Sequence, residues 1–387
     1  MKEWKEYKLR EITTMKNGKK RPKENGSYPV YGGNGIMDYA DNYNAENVII
    51  VGRVGAYCGN VFKCDDKCWV SDNAISVFAK DTINKDFLYY LMCTLDLHHH
   101  HIGAAQPLMT QDIIGNFDVY IPSLPTQQKI ANILSSLADK IEVNRRINEQ
   151  LEELAGALFK SWFVDFEPFK DGEFVDSELG MIPKGWKVGK LGEYCKVKSG
   201  FAFKSSWWQD NGLKVIKIKN ITSDGVLDMN DCSYVSSENT LKAKDFKTNV
   251  GDLLIAMTGA TIGKFCIISS REEMYVNQRV GKFFLGNNPI IKLPFIYCTL
   301  KTERVYSEIV NKGQGSAQPN ISGSDIENIH IPMPLNIDLL SLFHGKLKSV
   351  FEKMIHNQQE IHHLTTLRDT LLPKLMSGEI DVNEVEI

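Results

Sequence analysis

The sequence predicts an α+β protein with two pseudo-symmetric globular parts and two long helices of coiled-coil pattern. Three observations predict it. The 387-residue chain repeats itself once, each repeat opens with short apolar runs punctuated by turn residues, and each repeat closes on a long stretch of apolar residues in four-three alternation.

The repeat is visible residue by residue. Val51, Gly55, Gly59 and Val61 fall opposite Ile255, Gly259, Gly263 and Phe265 at an offset of 204, whereas Gly103, Gln106, Pro107, Asn116, Val119 and Pro122 fall opposite Gly315, Gln318, Pro319, Asn328, Ile331 and Pro334 at an offset of 212. The offset grows between fixed landmarks, as it does when loops lengthen between framework elements. Two copies of this length are too few and too long for a solenoid, so the repeat implies internal pseudo-two-fold symmetry. The predicted parts are a globular domain over 1–121, a helix and linker over 122–182, a second globular domain over 183–335, and a second helix over 336–387.

Within the globular parts, Val48-Ile49-Ile50-Val51 and Asp252-Leu253-Leu254-Ile255-Ala256 read as buried strands. Asn17-Gly18, Asn25-Gly26, Gly32-Gly33-Asn34-Gly35 and Asn211-Gly212 supply dense turn chemistry. Helical stretches are predicted near 85–95 and 293–310.

The long helices rest on their seams. After Pro122 and Pro125, Ile130, Leu134, Leu137, Ile141, Asn144, Asn148, Leu151, Ala155, Leu158 and Trp162 alternate by four and three. Val350, Met354, Asn357, Ile361, Leu364, Arg368, Leu371 and Leu375 do the same, and Leu137, Ile141, Asn144, Leu151 and Leu158 match Val350, Met354, Asn357, Leu364 and Leu371 at an offset of 213. Each rod of about 33 residues measures roughly 50 Å. Unpaired, it would expose more apolar surface than a soluble monomer tolerates, so the rods pair with each other and leave faces for partners. Asn144 and Asn357 either pin the register of that pairing or face solvent. Pro373 is expected to interrupt the second helix.

Composition sets limits. Hydrophobic residues make up 43% and charged residues 24%, ordinary for a globular chain. No apolar run is long enough to cross a bilayer and Met1-Lys2-Glu3-Trp4 opens no signal peptide, so a cytoplasmic location is expected. The eight cysteines contain no CxxC pair, which predicts reduced thiols and no zinc site at Cys58, Cys64 and Cys68. His98 to His101 read as a solvated loop. Net charge is −3, but it is uneven: the segment 184–335 is basic, and the segments 121–183 and 336–387 are acidic. A DNA binder with this balance needs local basic surfaces or partners that supply phosphate contacts.

Enzyme signatures are missing. Met257-Thr258-Gly259-Ala260-Thr261-Ile262-Gly263-Lys264-Phe265 is one residue short of a phosphate-binding loop, and Phe265 stands where a magnesium-binding hydroxyl is needed. No methyltransferase tetrapeptide of the Asn-Pro-Pro-Tyr type occurs, and Asp65, Asp66, Glu272 and Glu273 read as polar hairpin tips.

Several strings, in order and duplicated, resemble the specificity subunit of type I restriction-modification systems. IPSLPTQQKIANIL followed by LFKSWFVDFEP resembles the family's central conserved region, GMIPKGWKVGKLGE the start of a second target recognition domain, and LRDTLLPKLMSGEI the distal conserved region. SAQPNIS, echoed as AAQPLMT, resembles a framework motif. The resemblance covers essentially the whole chain. It implies two target recognition domains separated by two antiparallel helices, each domain reading one half of a bipartite site in double-stranded DNA. It further implies that the helices act as a ruler and dock two modification subunits, which bring S-adenosylmethionine and adenine methylation. Restriction subunits would add ATP- and Mg-dependent translocation and cleavage, and this chain would bind no cofactor, engage no membrane and catalyse nothing.

For DNA contact, side chains of Lys, Arg, Asn and Gln in loops are the candidates. These are Lys16, Lys19, Lys20, Arg21, Asn34 and Arg53 in the first domain, and Lys198, Lys204, Lys217, Lys219, Asn220, Gln278, Arg279, Lys312 and Gln314 in the second. Gln106 and Gln318 recur in both copies and are expected to serve the framework. The competing reading is a duplicated coiled-coil adaptor that binds proteins only.

Overall fold

The structure is a computed structural model that describes residues 4–103, 106–313 and 319–382. Its contacts divide the chain into two compact units, Met1–Glu142 with His363–Ile387, and Val143–His362.

In the first unit, strand Lys5–Lys8 pairs antiparallel with Asp118–Ile121. Beyond it lies a six-stranded sheet in the order Thr13–Asn17, Ala74–Ala79, Ala45–Gly52, Val61–Val70, Tyr28–Gly32 and Gly35–Ala40. Val48 to Val51 are fully buried, as a continuous apolar run between two neighbouring strands should be. Asn84 caps helix Lys85–Thr94 by accepting from the Phe87 amide at 2.9 Å. The core joins Leu9, Ile49, Val51, Ile75, Val77, Phe87 and Leu88 to Ile130, Leu134, Leu375 and Met376 of the long helices.

The second unit repeats this plan with a split sheet. Trp186–Lys190 pairs with His330–Pro334. One four-stranded sheet runs Lys196–Ser199, Val280–Phe284, Leu253–Ala256, Phe265–Ile267, and another runs Trp208–Gln209, Ser233–Val235, Leu213–Ile216, Met274–Val276. The helical stretch expected near 293–310 is two helices, Pro289–Lys301 and Glu303–Gly313, separated at Thr302. Phe159 and Phe163 interlock with Phe295 and Phe343 in this core, with ring centroids 4.8 to 6.0 Å apart.

The two long helices, Leu124–Phe163 and Ile337–Met376, are 40 residues each, longer than the seam alone predicts, or roughly 60 Å. Pro125 lies inside the first turn, where its missing N–H costs nothing. Pro373 does not interrupt the distal helix, which continues to Met376 and closes with the Ser377 amide on the Pro373 carbonyl at 3.0 Å. So near the C-terminus, few hydrogen bonds depend on an unbroken ladder.

Within the second unit the helices run antiparallel. Asn144 Nδ2 donates to Glu360 Oε2 at 2.9 Å, Asn357 Nδ2 donates to Asn148 Oδ1 at 2.8 Å, and Asn148 Nδ2 donates to the Met354 carbonyl at 3.1 Å. Asn144 and Asn357 are 1% and 0% exposed, which decides between the two readings of these residues: neither faces solvent. Ile141 and Met354 are buried, and Leu137, Leu151, Leu158, Val350, Leu364 and Leu371 are half-buried. Phe343, Leu347 and Phe351, buried as deeply as the seam residue Asn357, lie on a stripe that packs into the globular core, one the four-three seam did not single out.

Asp65 and Asp66 sit within the long strand Val61–Val70 and not at a hairpin tip. Asp65 is paired with Lys63 and Lys85, and Glu272 and Glu273 with Lys214 and Lys247. Cys58 belongs to one apolar cluster and Cys64 and Cys68 to another, so the three thiols do not converge. Among the described residues no helix is long and apolar enough to cross a membrane.

Candidate nucleic-acid interface

One rim of the first unit gathers loops from distant parts of the sequence. The Gly18 amide donates to the Ala74 carbonyl at 3.0 Å, Lys19 to Val70 at 3.0 Å, Ser71 to Tyr31 at 2.9 Å and Arg53 to Asn73 at 2.8 Å. Two further backbone bonds, Gly55 to Pro107 at 3.0 Å and Met109 to Arg53 at 2.8 Å, tie in the framework motif. A Cβ on Gly18 would overlap the Ser71 carbonyl, and one on Gly52 would lie 3.1 Å from the Gly33 Cα. Glycine at these positions is what lets the backbone at the ends of Thr13–Asn17 and Ala45–Gly52 approach Ser71 and Gly33 so closely.

The second unit reproduces that rim bond for bond. Gly200 donates to Val280 at 2.9 Å, Phe201 to Val276 at 2.8 Å, Asn277 to Ile216 at 3.0 Å, Met257 to Arg279 at 3.0 Å, Gly259 to Pro319 at 3.0 Å and Ile321 to Met257 at 2.9 Å. Gly200 stands against the Val276 carbonyl as Gly18 does against Val70 and Ser71. Gly259 and Gly263 take positive φ of 70° and 85°, as Gly55 and Gly59 do at 76° and 88°. The stretch that superficially suggests a phosphate loop is therefore a paired strand turn.

Matched backbones carry different side chains. Opposite Lys19, Arg53, Asp72 and Asn73 of the first rim stand Phe201, Met257, Gln278 and Arg279 of the second. Asp72 and Asn73 are exposed, as are Gln278 and Arg279. The sequence reading missed Asp72 and Asn73; laying the second copy's Gln278-Arg279 over the first would have found them.

The other candidates divide into free and committed groups. Lys20 and Asn34 are exposed, with Asn34 in the two-residue turn between Tyr28–Gly32 and Gly35–Ala40. Lys16 and Lys198, equivalent in the two edge strands, lie over Phe78 at 5.6 Å and Phe284 at 5.0 Å. Arg21 is paired with Asp38, and Arg53 Nη1 reaches the Asp72 carbonyl at 3.4 Å. Lys19 also supplies the carbonyl that accepts from Trp69 Nε1 at 3.1 Å.

In the second unit Lys204 lies 5.4 Å above the Trp207 ring and Lys217 3.7 Å above that of Trp208. Burial, and then the positive charge of Lys219, lower the Lys217 pKa. Lys219 is held by Asp231 at 2.5 Å, and Lys312 by Glu308 at 3.0 Å. Asn220 is not a reader. It is 1% exposed, its Oδ1 accepts from the Lys217 amide at 2.9 Å, and its Nδ2 donates to the Asp228 and Asp231 carbonyls at 3.1 and 3.0 Å. Every polar atom of that amide is used in holding the loop. Gln314 and Gln318 lie outside the described residues. Gln106 is exposed, and its neighbour Pro107 makes the framework bond.

Comparison with known proteins agrees with this duplicated arrangement. The family model of the type I restriction modification DNA specificity domain matches residues 1–153 and 183–342. The MjaIX specificity subunit of Methanocaldococcus jannaschii is 33% identical over 329 residues, covering 80% of this chain and 72% of its own. The HindI specificity subunit of Haemophilus influenzae is 27% identical, covering 76% of this chain and 77% of its own. The crystal structure of the type I restriction-modification S subunit from M. genitalium shares the fold, with a TM-score of 0.62 at 20% identity over 96% of both chains. The chain belongs to the family of type I restriction-modification DNA specificity subunits, with two copies of the family's domain in tandem.

Proposed function

We propose that each rim reads one half of a bipartite target in double-stranded DNA. One observation carries this reading: the rims share six backbone hydrogen bonds at equivalent positions while the side chains they present differ. A fixed holder with exchanged Arg, Asn, Gln and Lys side chains is what reading two different base sequences requires. An adaptor that binds proteins only has no need to vary one rim while conserving its backbone, and the basic segment 184–335 also speaks against it.

In this reading the chain has no catalytic role. The long helices set the spacer between half-sites and dock two modification subunits, which bring S-adenosylmethionine and methylate adenine. Restriction subunits bring ATP and Mg, and the chain itself binds no cofactor.

Methylome sequencing of cells with and without this chain, together with its modification subunits, tests the proposal. Adenine methylation at a split motif is expected to depend on the chain. Methylation that persists after deletion of residues 184–335 would sink the proposal. Removing one heptad from each long helix shortens it by about 10 Å, which is expected to move the permitted spacer by about three base pairs at 3.4 Å per step.

A further inference from the structure

We propose that the hairpin formed by Tyr28–Gly32 and Gly35–Ala40 is an apolar wedge that enters the DNA stack, with Ile36 and Met37 as the inserting side chains. The inference rests on the DNA-reading function proposed above and adds a contact that only the first domain makes. Gly35–Ala40 is the outer strand of its sheet, and Ile36, Met37 and Tyr39 are 50%, 53% and 51% exposed. Asp38 stands opposite Val30 and Ile36 opposite Tyr31, so Met37 is the extra residue of a bulge, and both Ile36 and Met37 are left open on the outer strand of the hairpin.

An exposed apolar outer strand is a liability unless something covers it. Its surroundings select a polyanion. Asn34 lies in the turn of the same hairpin, and the sulfur of Met37 lies over Gly32. The basic stretch Lys19-Lys20-Arg21 is held along the hairpin by the Arg21–Asp38 pair. Apolar tips flanked by cations are how proteins open a base step from the minor groove. Among the described residues the second domain has no such tip: Leu213–Ile216, the counterpart of Tyr28–Gly32, runs into a short helical turn over Ile218–Asn220, and Ile218 packs on an apolar cluster.

The test uses the full complex with modification subunits on its methylome-defined duplex, with 2-aminopurine placed in turn at adenine positions of each half-site other than the methylated adenine and its neighbours, because a methyltransferase itself takes its target base out of the stack. Binding is expected to raise the fluorescence several-fold in the half read by the first domain and to leave the other half unchanged. The double variant Ile36→Ala, Met37→Ala is expected to abolish the rise while still assembling and still selecting the same motif. No rise with the wild-type complex bound overturns the wedge alone, as does an equal rise in both halves or an undiminished rise in the variant. Loss of modification subunits from the variant would instead identify the hairpin as a protein contact. A wild-type complex without sequence-selective DNA binding overturns the wedge and the proposed function together.

Discussion

Asn357 Nδ2 donates to Asn148 Oδ1 at 2.8 Å, joining the two long helices through a pair of amides set in an apolar seam. The bond defines a register. A slide of one heptad would set Asn357 beside Ala155, whose methyl offers no acceptor. Polar seam residues give up stability in return for this selectivity.

Replacing Asn357 with alanine removes the donor to Asn148 and is expected to cost about 1–3 kcal/mol, the range for breaking a buried hydrogen bond on one side only. The double replacement Asn148→Leu, Asn357→Leu is expected to recover that loss. Urea unfolding of the three proteins, compared at constant slope, measures both.

His344 provides a pH dependence. The Tyr194 hydroxyl donates to the Lys292 carbonyl at 2.7 Å and lies 3.0 Å from His344 Nε2. Burial, and then the Lys292 charge, lower the His344 pKa to about 4. The unfolded chain, with an ordinary histidine pKa near 6.5, binds the proton first, so stability falls as pH drops from about 6.5 towards about 4. His344→Gln keeps a hydrogen-bonding group without the titration, and thermal unfolding across this window is expected to flatten.

Side chains that read bases and side chains that hold phosphates should separate by experiment. Arg279→Ala is expected to cost about 1–3 kcal/mol and to relax selectivity in one half-site only. Lys19→Ala with Lys20→Ala is expected to weaken all sequences evenly and to lower the salt slope by about one for each phosphate left without its lysine. DNA titrations at several salt concentrations, with cognate and single-substituted duplexes, tell the two apart. Arg279→Ala acting evenly on both halves would remove it from base reading.

Much of this was legible in the sequence, because burial leaves periodic traces. The fully buried run Val48 to Val51, the helix seams and the Gly-rich turns all follow from local rules. The roles of individual polar residues were not legible. Asn220 has the chemistry of a base reader, but three backbone partners consume its amide. Arg21 is paired with Asp38 across a hairpin that the sequence marks only as turns. Asp72 and Asn73 reach the rim because Ser71 and Asn73 bond to Tyr31 and Arg53, two separate strands away. Composition also hid the stripe Phe343, Leu347 and Phe351, since one helix serves two apolar surfaces and the seam is only one of them.

The duplication itself supplies the design of a last experiment. Lys282 and Asp252 form an ion pair at 2.8 Å with side chains 6% and 4% exposed, and Lys282 Nζ also donates to the Lys247 carbonyl at 2.6 Å. At the equivalent strand positions the first copy has Ser76, opposite Ile50 as Lys282 is opposite Leu254, and Val48. The same framework therefore exists without the charges. Lys282→Met leaves the Asp252 carboxylate buried without its counter-ion, with the Asn249 amide donating to it at 2.7 Å. The expected loss is about 3–5 kcal/mol, the range for orphaning one member of a buried pair. Adding Asp252→Val removes the remaining charge, and stability is expected to return to within about 2 kcal/mol of the parent. Denaturant unfolding decides: a double variant no more stable than Lys282→Met would mean that the pair holds the strand Leu253–Ala256 through its hydrogen bonds and not through compensation of charge.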